Sequence, residues 1–471
     1  MSYLVILIPF LGLISINLLP KKIRANVAFW TCLLICLLQG IIALSFPSGV
    51  WDKVIFSRLE GLLDFDLFIN TAGIIVLLTA ALVCASALLT GQSMIKDEED
   101  RYDFVNLLLI SLIGINGIVL VNDIFTLYIF VEVVAISSFI MICLLNRKNA
   151  LEGAFKYLIL SVVASVLMLT SIALFLLVAT GTTGLAIFTS FFTPGGAVIS
   201  KIALALFVGG LLIKSGVVPF HGWLPDAYSS APAPVSIFLA GIVTKVSGVY
   251  ALFKIISMTG GCVAQIYPLL LAFGALSIVV GALAAIGQKD MKRMLAYSSI
   301  SQVGYIVLAF GINTRLGIIA ALFHFFNHAV FKAQLFANCA AVEEQTGSVE
   351  MDKMGGLAER MPVTGITSAI AALSTAGLPP LSGFWSKLLI VIALWASGHY
   401  FYAALAVLAS LLTLAYFLSW QRQVFFGELT EEMKKVTEAK IGLLIPAVFL
   451  CGITIGLGLL LPLLYLLGAR Q

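Results

Sequence analysis

The chain has 471 residues, of which 61% are hydrophobic and only 11% are charged, with a formal net charge of +4. Soluble domains carry about a quarter charged residues, so this composition excludes a soluble enzyme or binding module and predicts a protein whose solvent is lipid. The basic residues form no patch, which argues against nucleic acid as a partner.

Hydropathy predicts an all-α polytopic membrane protein, because backbone groups in hydrocarbon must bond within helices when strand alternation is absent. Fourteen spans are predicted near residues 3–20, 25–46, 70–92, 104–121, 123–145, 154–180, 200–220, 232–256, 264–287, 292–312, 315–342, 362–390, 397–424 and 441–467. Charged stretches at 343–360 and 427–440 are expected to be solvated loops. The seven cysteines lie mostly in apolar stretches without metal-ligand spacing, which indicates small buried residues.

Basic residues predict how the chain is oriented. The loops that hold Lys21, Lys96, Arg147, Lys292 and Lys434, with their basic neighbours, alternate along the chain and are expected to face the cytoplasm. An even number of spans then puts both termini outside. The apolar N-terminal stretch lacks a basic n-region and a clear cleavage site, which predicts a retained first helix.

Five ionisable side chains are singled out because they interrupt apolar runs inside predicted spans, where a charge costs about 2.5–3.5 kcal/mol on insertion scales. They are Glu132, Lys214, Lys245, Lys332 and Lys387. The alternative to a function is an internal salt bridge or a snorkelling side chain that only fixes helix packing. Several such residues on successive helices favour a chain of proton sites. Burial favours a neutral lysine and a nearby carboxylate favours the ammonium, so moving the carboxylate would switch the lysine between releasing and holding a proton.

Two histidines extend this set. His324 and His328 are spaced i, i+4, and Lys332 continues the row, so the three share one helix face. A neutral imidazole can relay a proton between its two ring nitrogens. Metal binding or a packed polar stripe is the alternative, but no carboxylate or cysteine stands at matching spacing. The pattern favours a proton relay.

Proline and glycine interrupt two of the apolar segments. Pro219 and Pro225 fall in the first interruption, and Pro379 and Pro380 in the second. Broken helices are tolerated at membrane depth only when they are buried in protein or line a wet cavity. Each interruption has a lysine beside it, which suggests two structural repeats that meet near the midplane of the membrane.

The interrupted segments and their lysines carry a resemblance to a known family. The run "KSGVVPFHGWLPDAYSSAPAPVSIFLAGIVTKVSGVY" begins at Lys214, and it is accompanied by "NDIFTLYIFVEV", "GAFKYLIL", "DMKRMLAYSSISQVGY", "HFFNHAVFKAQLF" and "GLPPLSGFWSK". Together they resemble the antiporter-like, proton-translocating subunits of complex I. They also resemble the large D-type subunits of multisubunit sodium/proton antiporters and the corresponding subunits of membrane-bound hydrogenases. The resemblance covers roughly residues 100 to 430.

This resemblance implies a fold of fourteen helices with two inverted five-helix repeats, each containing a broken helix. The implied divisions are residues 1–100 for helices 1–3, 101–258 for the first repeat, 259–426 for the second repeat, and 427–471 for the last loop and helix. We expect no long lateral helix of the kind that some complex I members append, so the sequence is expected to resemble the shorter members, including those in antiporters and hydrogenases.

The resemblance also implies roles for the buried residues. Glu132 resembles the fifth-helix glutamate that pairs with a lysine, and Lys214 its seventh-helix partner. Lys245 resembles the central lysine of the eighth helix. His324 and His328 resemble the polar relay of the eleventh helix.

Lys387 resembles the twelfth-helix residue nearest the exit, a position that is lysine in some branches and glutamate in others. We expect protons to enter from the cytoplasm near the broken helices, to pass Lys214, Lys245 and the histidines, and to leave past Lys387.

The expected partners are further antiporter-like and small membrane subunits, a peripheral redox arm in the redox branches, protons, sodium in the antiporter branch, and lipid. No Gly-rich phosphate loop or cluster motif predicts a cofactor or metal, so the chain itself is expected to do no redox chemistry. The expected location is the cytoplasmic membrane of a prokaryote. Rival interpretations are a stand-alone solute or ion carrier, a quinone- or haem-holding redox subunit, and a scaffold that anchors a peripheral arm.

Overall fold

The computed structural model describes residues 3–46, 54–55, 66–67, 69–178, 198–258 and 264–468, and nearly all of them are helical. The first helices are α1 (Leu4–Asn17), α2 (Lys21–Ser45), α3 (Thr71–Met94), α4 (Glu98–Leu120), α5 (Ile124–Cys143), α6 (Lys148–Val178), α7 (Val198–Ser215) and α8 (Leu224–Ser230). A small antiparallel pair joins β1 (Val54–Ile55) to β2 (Asp66–Leu67).

The next span begins as α9 (Ala233–Phe238), continues through two π-helical segments (Leu239–Val243 and Lys245–Tyr250) and ends as α10 (Ala251–Met258). The remaining helices are α11 (Ile266–Ile286), α12 (Met291–Gly311), α13 (Arg315–Thr346), α14 (Pro362–Ala376), α15 (Ser382–Ala396), α16 (Tyr400–Val424) and α17 (Ile441–Gly468). Short 3-10 turns at Met351–Lys353, Leu357–Glu359 and Met433–Lys435 interrupt the two charged loops.

Twelve of the described helical segments are long and apolar enough to cross a membrane, which confirms an all-α polytopic protein. α1, α14 and α15 are apolar but shorter. The span expected at 362–390 is two short helices, because α14 ends at Ala376 and α15 begins at Ser382. The expected number of fourteen spans is not confirmed by this set of helices.

Polar residues fix where several helices begin. The side chains of Asn70, Asp97, Asp123, Asp290 and Thr314 each accept a backbone N–H from the first turn of the helix that follows. Such caps satisfy donors that have no partner inside the helix. They hold the ends of α3, α4, α5, α12 and α13 in place at the edges of the helical bundle.

Burial separates the middle of the bundle from its lipid-facing side. In its most apolar stretch, the span 233–257 has all of its residues buried, and α12 has 94% of them buried. The corresponding fraction is 33% for both α6 and α16. α12 is also polar for a buried helix, with Ser298, Ser299, Ser301 and Gln302 all enclosed. A buried polar helix needs partners, so the middle of the bundle is where a polar site is expected.

Two sequence expectations about loops are corrected. The helix α4 begins at Glu98, so the charged residues from Glu98 to Asp103, including Arg101, are helical and not part of the loop that holds Lys96. Lys292 is not a solvated loop residue, because it lies in the first turn of α12 with its side chain 3% exposed. Hydropathy misplaced it because a lysine beside two other basic residues has the composition of a membrane-edge loop.

Candidate functional site

The first part of the site lies between α5, α6 and α7. The Nζ atom of Lys214, near the end of α7, is 3.0 Å from Oε1 of Glu132 on α5 and 2.7 Å from the hydroxyl oxygen of Ser161 on α6. The lysine side chain is 2% exposed and the glutamate side chain 22% exposed. The ammonium is therefore enclosed, with a partner of opposite charge that reaches the edge of the enclosure.

Lys245 is the first residue of the second π-helical segment and is fully buried. Its Nζ atom donates to the carbonyl oxygen of Ala240. Widened turns of this kind often occur at functional sites, because they free a carbonyl and redirect a side chain. Gly248, one turn further on, lets this span touch α7: a Cβ atom there would be 2.5 Å from the backbone nitrogen of Ser215, the residue after Lys214.

The two histidines stack on α13. Their ring centroids are 6.3 Å apart and their planes differ by 8°. Nδ1 of His324 is 2.9 Å from the hydroxyl oxygen of Ser386 on α15, whereas its Nε2 and both ring nitrogens of His328 are buried without a protein partner in the described structure. Buried polar atoms of this kind are normally satisfied by ordered water. The arrangement suits a relay in which water joins the rings to their neighbours.

Two further lysines flank the histidines. Lys332 donates to the carbonyl oxygen of Leu295 on α12 at 2.9 Å, and its Nζ is 6.0 Å from the centroid of the Phe417 ring. Lys387 donates to the carbonyl oxygen of Ala376 at 3.4 Å, and its Nζ lies 4.7 Å from the centroid of the Tyr305 ring. Both lysines are buried, and His328 lies within electrostatic reach of both and of Lys245.

The four prolines lie at the two expected interruptions. Pro219 falls in the irregular segment between α7 and α8, and Pro225 is in the first turn of the short α8. Pro379 and Pro380 lie between α14 and α15, just before the helix that carries Lys387. The structure therefore brings each interruption beside a buried lysine.

Sequence reasoning missed Lys254. It is buried on α10, where its Nζ donates to the carbonyl oxygens of Ile118, Val119 and Val121. These carbonyls end α4, and a lysine that binds the last carbonyls of a helix is a favourable cap. We interpret Lys254 as a structural residue. A lysine nine positions after Lys245 could have signalled it, but its helix-terminal partners could not be read from the sequence.

Sequence reasoning also missed a network around Asp226, on α8. Its carboxylate accepts from Lys156 on α6 at 2.7 Å and from Arg293 on α12 at 2.6 Å, beside a polar cavity of about 370 Å³ that Glu152 also lines. Burial alone would raise the pKa of the Asp226 carboxyl, but the bonds from Lys156 and Arg293 outweigh that effect and hold the pKa below its usual range. This network joins α8, which follows the break after α7, to α6 and to α12.

The histidine pair does not extend to a metal centre in the described part of the chain, where no three His, Cys, Asp or Glu side chains stand together as ligands. What the site offers chemically is a set of proton donors and acceptors: one carboxylate, four lysines and two imidazoles, all held on membrane-buried helices. Such a set can move protons without a cofactor.

Comparison with known proteins identifies the family. The family model described as "NADH:quinone oxidoreductase/Mrp antiporter, TM" matches residues 121–413. The D-type subunit of the Na(+)/H(+) antiporter of Alkalihalophilus pseudofirmus is 35% identical over 390 residues, which cover 81% of this chain and 78% of that protein. The N-type subunit of the NADH-quinone oxidoreductase of Desulforudis audaxviator is 36% identical over 353 residues, which cover 73% of this chain and 69% of that protein.

Solved structures share the fold. A chain of the Mrp complex from Dietzia sp. superposes with a TM-score of 0.89 at 24% identity, covering 98% of this chain and 95% of that one. A chain of an archaeal membrane-bound sulfane sulfur reductase superposes with a TM-score of 0.88 at 26% identity, covering 97% and 94%. The matched residues 121–413 contain the ionisable residues of the site, called the buried row below: Glu132, Lys214, Lys245, His324, His328, Lys332 and Lys387. Because this match makes up more than half of the sequence, the chain belongs to the NADH:quinone oxidoreductase/Mrp antiporter family of multi-pass membrane proteins.

Proposed function

We propose that this chain is the proton-translocating membrane subunit of a multisubunit complex of the kind formed by complex I, by Mrp antiporters and by membrane-bound hydrogenases. The observation that carries the proposal is the buried row from Glu132 and Lys214, through Lys245 and the histidines, to Lys387. Each member has a costly position in a membrane, and each is a proton donor or acceptor. The matched relatives, named as an antiporter subunit and a quinone oxidoreductase subunit, support it.

The row suggests a sequence of proton transfers. With Glu132 in contact, Lys214 holds its proton; when that contact opens, the buried ammonium loses its partner and releases the proton onward. Lys245 and the stacked histidines transmit it through water to Lys387. The energy comes from partner subunits or from an ion gradient, because the row contains no group that changes redox state.

We also propose an orientation in the membrane and a division into repeats. The chain lies in the cytoplasmic membrane of a prokaryote with both termini outside, so that the loops with Lys96, Arg147 and Lys289 face the cytoplasm. The helices divide into two repeats, residues 101–258 and 259–426, and each contributes one break and its lysine. The alternating basic loops and the two interrupted segments support these assignments.

Proton pumping by the intact complex in inverted membrane vesicles tests the function. We compare the native chain with Lys214→Ala and Glu132→Gln, and we use Lys289→Ala as the control, because Lys289 is exposed and pairs with Asp352 on the surface at 3.3 Å. Loss of pumping in the first two variants, with normal assembly and unchanged pumping in the control, supports the proposal. Native pumping in both site variants would leave the chain as a scaffold or as a carrier of another solute.

A further inference from the structure

A second enclosed ion pair lies outside the row. The Nζ atom of Lys292, in the first turn of α12, is 2.6 Å from Oε2 of Glu343, near the end of α13. The lysine side chain is 3% exposed, whereas the glutamate side chain is 19% exposed. Lys292 also donates to the carbonyl oxygen of Ala231, in the break between α8 and α9, at 3.3 Å. The pair therefore joins a partly exposed carboxylate to a buried lysine.

The position of Lys292 is unfavourable for a lysine with only a structural role. A cation in the first turn of a helix meets the positive end of the helix dipole, and burial removes its hydration. Asp290 and Glu343 offset part of this cost, while Arg293 adds a like charge beside it. Lys289, three residues earlier, is the ordinary alternative: its side chain is 82% exposed and it pairs with Asp352 on the surface.

The two helices that hold the pair also lead to Lys332, which lies about 16 Å from Glu343 along α13. Leu295 follows Lys292 by one turn of α12, a rise of about 4.5 Å. Its carbonyl oxygen accepts the bond from Lys332 at 2.9 Å. On α13, Lys332 and Glu343 are eleven positions apart, close to three full turns, so they lie on the same face. Both helices thus align the ion pair with Lys332.

Lys332 has unused hydrogen-bonding capacity beside that bond. An ammonium has three donors, and in the described structure Lys332 makes one hydrogen bond, to Leu295. The nearby ring nitrogens of His328 have no protein partner either. Unsatisfied buried groups on both sides mark where ordered water would sit.

We propose that the Lys292–Glu343 pair is the entrance through which protons reach Lys332 and the histidines, separate from the Glu132–Lys214 pair. This inference rests on the proposed function and assigns its access point. The Lys292 ammonium gives its proton through water to the neutral amine of Lys332. Glu343 then takes a proton from a solvent water, leaving hydroxide in the solvent, and passes that proton to the neutral amine of Lys292, which restores the ion pair. Water is the only other reactant.

A conservative substitution separates this role from a structural ion pair. Lys292→Arg keeps the positive charge and the contact with Glu343, but a guanidinium does not give up its proton in a protein. A purely structural pair tolerates that change, whereas an entrance does not. Lys289→Arg is the matched control on the same helix end.

Proton pumping in vesicles with the intact complex is again the measurement, with assembly checked by native gel. We expect Lys292→Arg to lower the pumping rate about tenfold or more, the scale of a lost proton-transfer group, and Lys289→Arg to leave it unchanged. Native pumping by Lys292→Arg would overturn the inference. If that variant does not assemble, Glu343→Gln and Glu343→Asp decide: we expect loss with Gln and retention with Asp, and native pumping with Gln would overturn the inference.

A further variant distinguishes the two proposals. Lys387→Ala removes the member of the buried row that protons from both entrances would pass last, and it leaves Lys292 and Glu343 in place. If Lys387→Ala pumps normally, the proposed function itself fails. If Lys387→Ala loses pumping while Lys292→Arg keeps it, the row conducts protons and only the assigned entrance is wrong.

Discussion

The lysines in the two parts of the buried row have different partners. Lys214 has a carboxylate oxygen at 3.0 Å and a hydroxyl oxygen at 2.7 Å. Lys245, Lys332 and Lys387 contact carbonyl oxygens and aromatic rings, and no carboxylate lies in ion-pair contact with them among the described residues. One part is built around an ion pair, and the other around uncompensated bases.

This difference indicates that the two parts of the buried row have different roles in proton transfer. A carboxylate stabilises an ammonium, so the Glu132–Lys214 pair holds a proton until the pair opens. Several buried ammonium groups without counter-charges would repel one another strongly in a medium of low dielectric constant. The second part therefore favours neutral amines and imidazoles, through which one excess proton can move. We infer that the first part stores protons and the second part transmits them.

Breaking the ion pair should give the largest change in stability. Glu132→Ala leaves Lys214 enclosed with only the Ser161 hydroxyl, and removing one partner of a buried pair costs about 3 kcal/mol. We expect a clear fall in the apparent melting temperature of the purified complex. The double variant Glu132→Ala/Lys214→Met should regain part of that loss, because no unpaired charge remains. A double variant that melts no higher than the single one would contradict the ion-pair interpretation.

Removing a buried lysine that has no carboxylate partner should raise the stability of the protein. Lys245→Met keeps the length of a fully buried side chain and removes an amine whose described bond is to the Ala240 carbonyl. Replacing a buried amine that has no counter-charge by an apolar side chain of similar length removes a desolvation cost, so the variant should be more stable by about 1–2 kcal/mol. We expect a higher melting temperature together with lost pumping.

The exposed Lys289→Met is the control for this variant, and it should stay within about 0.5 kcal/mol of the native chain. A destabilised Lys245→Met would show that Lys245 is a structural residue, and the contrast between the two parts of the row would disappear.

The sequence predicted the members of the row because a charge inside an apolar span is conspicuous. Glu132, Lys214 and Lys245 each stand alone in long apolar runs, and the spacing of His324 and His328 identifies one face of a helix without a structure. The helical class followed from composition for the same reason. These properties are local in the chain, so hydropathy and periodicity are sufficient to find them.

Residues whose environment depends on distant helices were not predicted. Lys292 stands among basic residues at a span boundary, and its burial results from Glu343, about fifty positions away, and from the Ala231 carbonyl. The three carbonyls that bind Lys254 come from the end of α4. Such partners depend on how helices pack, and no pattern within one segment records them.

The smallest expected effect concerns Asp226, which joins α6 to α12. It binds Lys156 of α6 and Arg293 of α12, so Asp226→Asn should weaken their connection by about 1 kcal/mol, a modest value because all three side chains are partly exposed. The pKa of Asp226 lies below its usual range, so its contribution is present above the ordinary carboxyl value of about 3.9 and is lost as the pH falls through the lowered value. We therefore expect the native chain to melt about 1–2 °C above Asp226→Asn at every pH between 8 and 5, and this gap to narrow only below about pH 4. A difference in melting temperature that already disappears between pH 7 and 5 would mean that another titrating group, and not Asp226, controls the contact between α6 and α12.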